Sequence, residues 1–173
     1  MPSSGKTATP VVTITDPLGR TTRYTYDDSD NQTSVTDPRG YVTHVTYDDR
    51  GNVLSVTDAL GKATCYTYNA RGEAVSVTDP LGHVRSYGYD GMGNLVSSTD
   101  ENGWTSRYRY DADGNMVKHI DAMFHETRYG YDAVGNLVGI TDPKGHTISY
   151  AYDAENRVIS ATTPMGSKTQ YEY

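Results

Sequence analysis

Apolar positions in this chain form short alternating pieces, and Gly, Asp, Asn and Pro separate one piece from the next. Residues 41–47 read Y-V-T-H-V-T-Y and residues 53–57 read V-L-S-V-T. Both are rich in β-branched and aromatic types, and each predicts a strand. Between them D-D-R-G-N at 48–52 predicts a turn, and D-A-L-G at 58–61 predicts a second. The unit then starts again 21 residues on. The dipeptide T-D marks its period at 15, 36, 57, 78, 99 and 141, with weakened copies at Ile120-Asp121 and Thr162-Thr163. Nearly eight such units fill residues 11–173, which we read as one repeat domain. Residues 1–10 form a polar lead rich in Pro, Ser and Thr, expected to be flexible.

The turn residues favour a specific chain path. D-P-L-G at 16–19 and 79–82, D-P-R-G at 37–40 and D-P-K-G at 142–145 suit a type I turn closed by glycine. Asp16, Asp37, Asp58, Asp79 and Asp142 are placed to bond their own backbone, and Gly19, Gly40, Gly61, Gly82 and Gly145 to take positive φ. The D-x-x-G-N turns ending in Gly51, Gly93, Gly114 and Gly135 suit a hairpin loop with a glycine bulge. Reversals this tight join antiparallel neighbours. The expected fold is therefore all-β: tandem 21-residue hairpins, about sixteen strands, forming one long curled antiparallel sheet. The alternative is a β-solenoid with one coil per repeat.

Fifteen of the 16 tyrosines occupy two positions of the repeat. They pair as Tyr24/Tyr26, Tyr66/Tyr68, Tyr87/Tyr89, Tyr108/Tyr110, Tyr129/Tyr131, Tyr150/Tyr152 and Tyr171/Tyr173, with Tyr47 beside Val45. Residues i and i+2 of a strand share a face, so these tyrosines form columns on one side of the sheet. The second strands supply either Leu54/Val56, Val75/Val77, Val138/Ile140 and Ile159/Ala161 to that face, or Val53, Leu95, Met116, Leu137 and Val158. A one-residue shift separates the two sets. Buried structural columns are the expected role, since tyrosine combines large apolar area with a polar tip.

Composition narrows the function classes. Only 35% of residues are hydrophobic, with one Phe and one Trp, so no deep core is implied. A net charge of −7 disfavours nucleic acid, whose phosphates need clustered cations. No apolar run is long enough to span a membrane, and the start lacks the apolar segment of a signal peptide.

Candidate chemistry is thin. His83, His125 and His146 share one repeat position with Trp104, but neighbours two strands apart in a meander stand about 9.5 Å apart, too far for shared zinc. D-A-D-G-N at 111–115 looks like half of a calcium loop but lacks the third ligand and the distal Glu. Cys65 takes the position held by Arg23, His44, Ser86 and Arg107 in other copies, which gives it no activating surroundings. There is no G-x-S-x-G, no H-E-x-x-H and no phosphate-cradling loop. We therefore expect no enzyme activity, no cofactor and no metal.

The consensus Y-x-Y-D-x-x-G-N-L-x-x-x-T-D-P-x-G resembles the YD repeat of the Rhs family over residues 11–173. That family includes the shells of bacterial polymorphic toxins and insecticidal toxin complexes, and teneurins. The resemblance implies a spiralling antiparallel sheet that acts as a secreted container or scaffold. The repeats here run to the last residue, and no self-cleavage segment or delivery module is recognisable, so cargo enclosure and autoproteolysis are not implied for this chain alone. First and last strands would present bare edges. The expected partners are the rest of a larger shell or copies of itself, in a polymer or filament. The alternative is an extracellular or cell-surface binding module whose tyrosine columns hold carbohydrate.

Overall fold

A computed structural model describes residues 10–173; residues 1–9, most of the polar lead, lie outside them. Every element among the described residues is a strand, and the strand order is the chain order. The chain divides into two units, Met1–Ser86 and Tyr87–Tyr173. The first holds β1 (Val11–Thr15), β2 (Thr21–Tyr26), β3 (Gln32–Thr36), β4 (Val42–Tyr47), β5 (Val53–Thr57), β6 (Ala63–Tyr68) and β7 (Ala74–Thr78). Strand β8 (Val84–Tyr89) starts in the first unit and ends in the second. The second continues with β9 (Leu95–Thr99), β10 (Thr105–Tyr110), β11 (Met116–Ile120) and β12 (Glu126–Tyr131). It closes with β13 (Leu137–Thr141), β14 (Thr147–Tyr152), β15 (Val158–Thr162) and β16 (Lys168–Gln170).

Within each unit the strands pair antiparallel with their chain neighbours, as in β4 with β5 and β12 with β13. Each repeat is therefore a hairpin. The solenoid alternative is overturned, because both turns of a repeat reverse the chain within five residues. The Asp48 N–H bonds Asn52 O at 2.9 Å, and the Asp58 N–H bonds Lys62 O at 2.9 Å. In both, a glycine closes the loop with positive φ: 83° at Gly51 and 78° at Gly61. That region costs an L side chain about 1 kcal/mol or more.

The two candidate registers of the second strand are both realised, through one bulge per repeat. Val45 opposes Val56, yet Tyr47 opposes Val53, so Leu54 is the extra residue between them. The same shift leaves Val75, Val117, Val138 and Ile159 unpaired in their repeats. Opposed residues share a face, so the tyrosine face collects the Val56 column opposite the first tyrosine and the Val53 column opposite the second. Leu54 and Ile159 are left exposed.

No hydrophobic residue among those described is fully buried. The two buried side chains are Ser34 at 8% and Ser160 at 5% exposure, both polar. The tyrosines of β2 to β14 are half-buried, and Tyr171 and Tyr173 are exposed. Each unit is thus stabilised by its ladder, its turns and lateral contacts across one face.

Candidate functional site

Most turns are organised by a leading carboxylate, with Asn69 and Thr163 in that place in two copies. Asp48 Oδ1 accepts the N–H groups of Arg50 and Asn52, both at 2.9 Å, and Asp48 Oδ2 accepts the Asn52 amide at 2.9 Å. The side-chain amide four residues on is the largest cause holding Asp27, Asp48, Asp90, Asp111 and Asp132 below the usual carboxylate range. In the copy at 69–73 the roles exchange: Asn69 donates its amide to Glu73 at 2.6 Å. The Asp at the head of the other turn finds a varied partner at the same spacing. Arg20 Nε bonds Asp16 at 2.6 Å, and Arg157 Nε bonds Asp153 at 2.7 Å in the equivalent place of a D-x-x-N turn.

This spacing accounts for the histidines. His83, His125 and His146 each hold their own turn aspartate through Nδ1, Asp79 at 2.8 Å, Asp121 at 2.9 Å and Asp142 at 3.0 Å. No group of three His, Cys, Asp or Glu suited to a metal ion occurs among the described residues. At 111–115 both Asp111 oxygens accept bonds from within the loop, from the N–H groups of Asp113 and Asn115 and from the Asn115 amide. Cys65 is exposed, opposite Thr78 and Ser55.

Five tyrosines of the second column reach back to the preceding hairpin. Tyr47 Oη donates to Gln32 O at 2.9 Å, Tyr68 to Val53 O at 2.8 Å, and Tyr131 to Met116 O at 3.2 Å. Tyr152 and Tyr173 do the same to Leu137 O and Val158 O, at 2.9 and 3.1 Å. Burial foremost, then the neighbouring tyrosine and the Asp of an earlier turn, pushes the Tyr68, Tyr110 and Tyr131 hydroxyls above their ordinary pKa. These rings act as laces between hairpins, a role the repeat spacing alone does not reveal. Tyr108 also stacks on His119, with centroids 5.0 Å apart.

The opposite face is built from small hydroxyls. Thr25 bonds Ser34 at 2.6 Å, Thr46 bonds Ser55 at 2.7 Å, and Thr67 bonds Ser76 at 2.6 Å. Hollows are shallow and lie along the turns. One of about 320 Å³ is lined by Glu126, Arg128, Thr141, Asp142, Pro143 and Gly145. Another of about 420 Å³ is lined by His125, Asp142, Pro143, Lys144 and His146. Both are open to solvent along the turns, so the arrangement offers surfaces and edges.

Comparisons agree with this picture. The family profile Teneurin YD-shell matches residues 43–173, and the RHS Repeat profile matches residues 10–43. No curated protein matches the chain. Among solved structures, the Photorhabdus luminescens Tc holotoxin pore with a mutant TccC3 is similar at a TM-score of 0.67 and 19% identity, over 87% of this chain. The TcdB2–TccC3 crystal structure gives 0.67 at 19% identity over 87%, and the form without its hypervariable C-terminal region gives 0.68 at 19% over 87%. This chain spans 9 to 10% of the length of those chains. At that identity they share its fold, while the profile covers most of the sequence: the chain belongs to the Teneurin YD-shell family.

Proposed function

We propose that this chain is a length of wall: a non-enzymatic module that joins a larger YD-repeat shell or assembles edge to edge with copies of itself. The observation that carries the reading is the outward edge of β1, the first described strand. Its sequence V-V-T-I-T holds no charge and no proline, and Val11, Val12 and Ile14 are 44, 47 and 56% exposed. Among the described residues it pairs only with β2. Such an edge is a template for another strand, and soluble sheets normally blunt it with charge or proline. The half-buried tyrosine face adds to this, because one apolar face of a sheet is stable when something covers it.

Family membership supports the shell, and the similar Photorhabdus luminescens structure is a Tc holotoxin pore. An extracellular or cell-surface setting fits the same membership. No helix among the described residues is long and apolar enough to cross a membrane. Sugar binding by the tyrosine columns is the second reading, with fewer free hydroxyls to offer, since five of the second column already bond backbone carbonyls.

Negative-stain imaging of the purified chain beside its Ile14→Lys variant tests the reading. We expect sheets, rings or filaments from the first and single particles from the second, with no response to added neutral glycans. Single particles from the unmodified chain at every concentration overturn self-assembly.

A further inference from the structure

We propose that the hydroxyl face of β10–β12 carries an anion-binding patch, formed by Arg107, Arg109, Lys118 and Arg128, whose ligand is an acidic polysaccharide. The register sets the cations side by side: Arg109 opposes Lys118, and Lys118 opposes Arg128. Adjacent strands lie about 4.8 Å apart, so the three form a row across the sheet, and Arg107 stands two residues along β10 on the same face. Like charges placed directly opposite destabilise a sheet. The compensation is small. Glu126 alone bonds Lys118 Nζ at 2.8 Å and the Arg128 guanidinium, while Arg107 and Arg109 have no carboxylate partner among the described residues.

The sister repeats show what folding asks of this row. Where this copy has Arg109 facing Lys118, three others have a neutral hydrogen-bonded pair: Thr25 with Ser34, Thr46 with Ser55, Thr67 with Ser76. The fold is content with hydroxyls, and one copy exchanges them for two opposed cations. Charge is segregated in the same direction throughout. All acids except Glu126 and Glu172 stand in or beside turns, whereas Glu126 is the only acid within a strand.

The floor around the row is low and polar. Ser97 opposes Arg107, Gly130 opposes Gly139, and Gly139 opposes Ser149. Guanidinium groups rising from a floor of glycine and hydroxyls suit a flat chain with carboxylate or sulfate groups set among sugar hydroxyls. A nucleic acid fits less well. Its duplex carries about one charge per 1.7 Å, and it would run over the acidic turns Asp100–Glu101 and Asp111–Asp113 at the strand ends.

Heparin, a polysulfated polysaccharide, is the probe. We expect retention on heparin that salt reverses, and at least a tenfold loss of affinity in the double variant Arg109→Thr with Lys118→Ser. The slope of log affinity against log salt should fall by about two, one for each cation removed. Because that variant installs the pair of the sister copies, it should melt no lower than the unmodified protein, which separates lost binding from lost folding. Lys168→Thr, outside the patch, should bind as before. No retention at low salt, or equal affinity in the double variant, overturns the patch. Tighter binding of poly-glutamate or a single-stranded oligonucleotide than of heparin overturns the choice of ligand.

Discussion

A single leading carboxylate sets most of the turns, and its protonation state matters accordingly. Bonds from the Asn side chain and backbone N–H groups hold Asp48, Asp90, Asp111 and Asp132 below their ordinary pKa, about 3.9 in unfolded chains. A depressed folded pKa gives stability that is complete above the unfolded value and is lost as pH falls through the folded one. The tyrosine hydroxyls behave in the opposite sense. Tyr68, Tyr110 and Tyr131 are raised, so their contribution is complete below about pH 10 and is lost as pH rises through the raised values. A series of thermal melts against pH should show a plateau that falls at both ends, with the acid fall below pH 4. Tyr68→Phe removes the donor to Val53 O and should cost about 1 kcal/mol in urea unfolding. Phe124 breaks the turn rule: it stands at the glycine position with φ 65°, 77% exposed, and nothing in the structure explains its choice. Phe124→Gly should therefore stabilise the protein by about 1 kcal/mol.

At the scale of the hairpin, the bulge decides which aliphatics share the tyrosine face. Val56 stands opposite Val45 in the lateral column, and Leu54 is the extra residue, 39% exposed. Val56→Asp should cost about 2 kcal/mol, whereas Leu54→Asp should change stability by less than about 0.5 kcal/mol. Equal losses in chemical denaturation would contradict the bulge. Hairpins, antiparallel order and period were legible in the sequence because each rests on local chemistry: alternation makes a strand, and Asp followed by Gly three positions on makes a turn. The bulge was not legible, since Val53 and Val56 are both apolar and either satisfies the period-two rule by itself. The hydroxyl laces were not legible either, because a bond from Tyr47 to Gln32 O depends on two hairpins being in place. Arg109 and Lys118 lie nine residues apart, and a net charge of −7 hides the row they form.

For the molecule as a whole, stability spread over ladders, turns and half-buried columns suits a repeat protein, in which each unit leans on its neighbours. The wall reading puts the addition of a partner at the outermost described strand. Val11–Thr15 has one edge of its ladder satisfied by Thr21–Tyr26, and the other has no partner among the described residues. Amide hydrogen exchange, followed peptide by peptide across a dilution series, reads that edge directly. The wall reading predicts that the outward N–H groups of β1 are protected at high concentration and lose protection on dilution, and that Ile14→Lys abolishes the effect. Rapid exchange in β1 at every concentration, with the interior strands protected throughout, would contradict it.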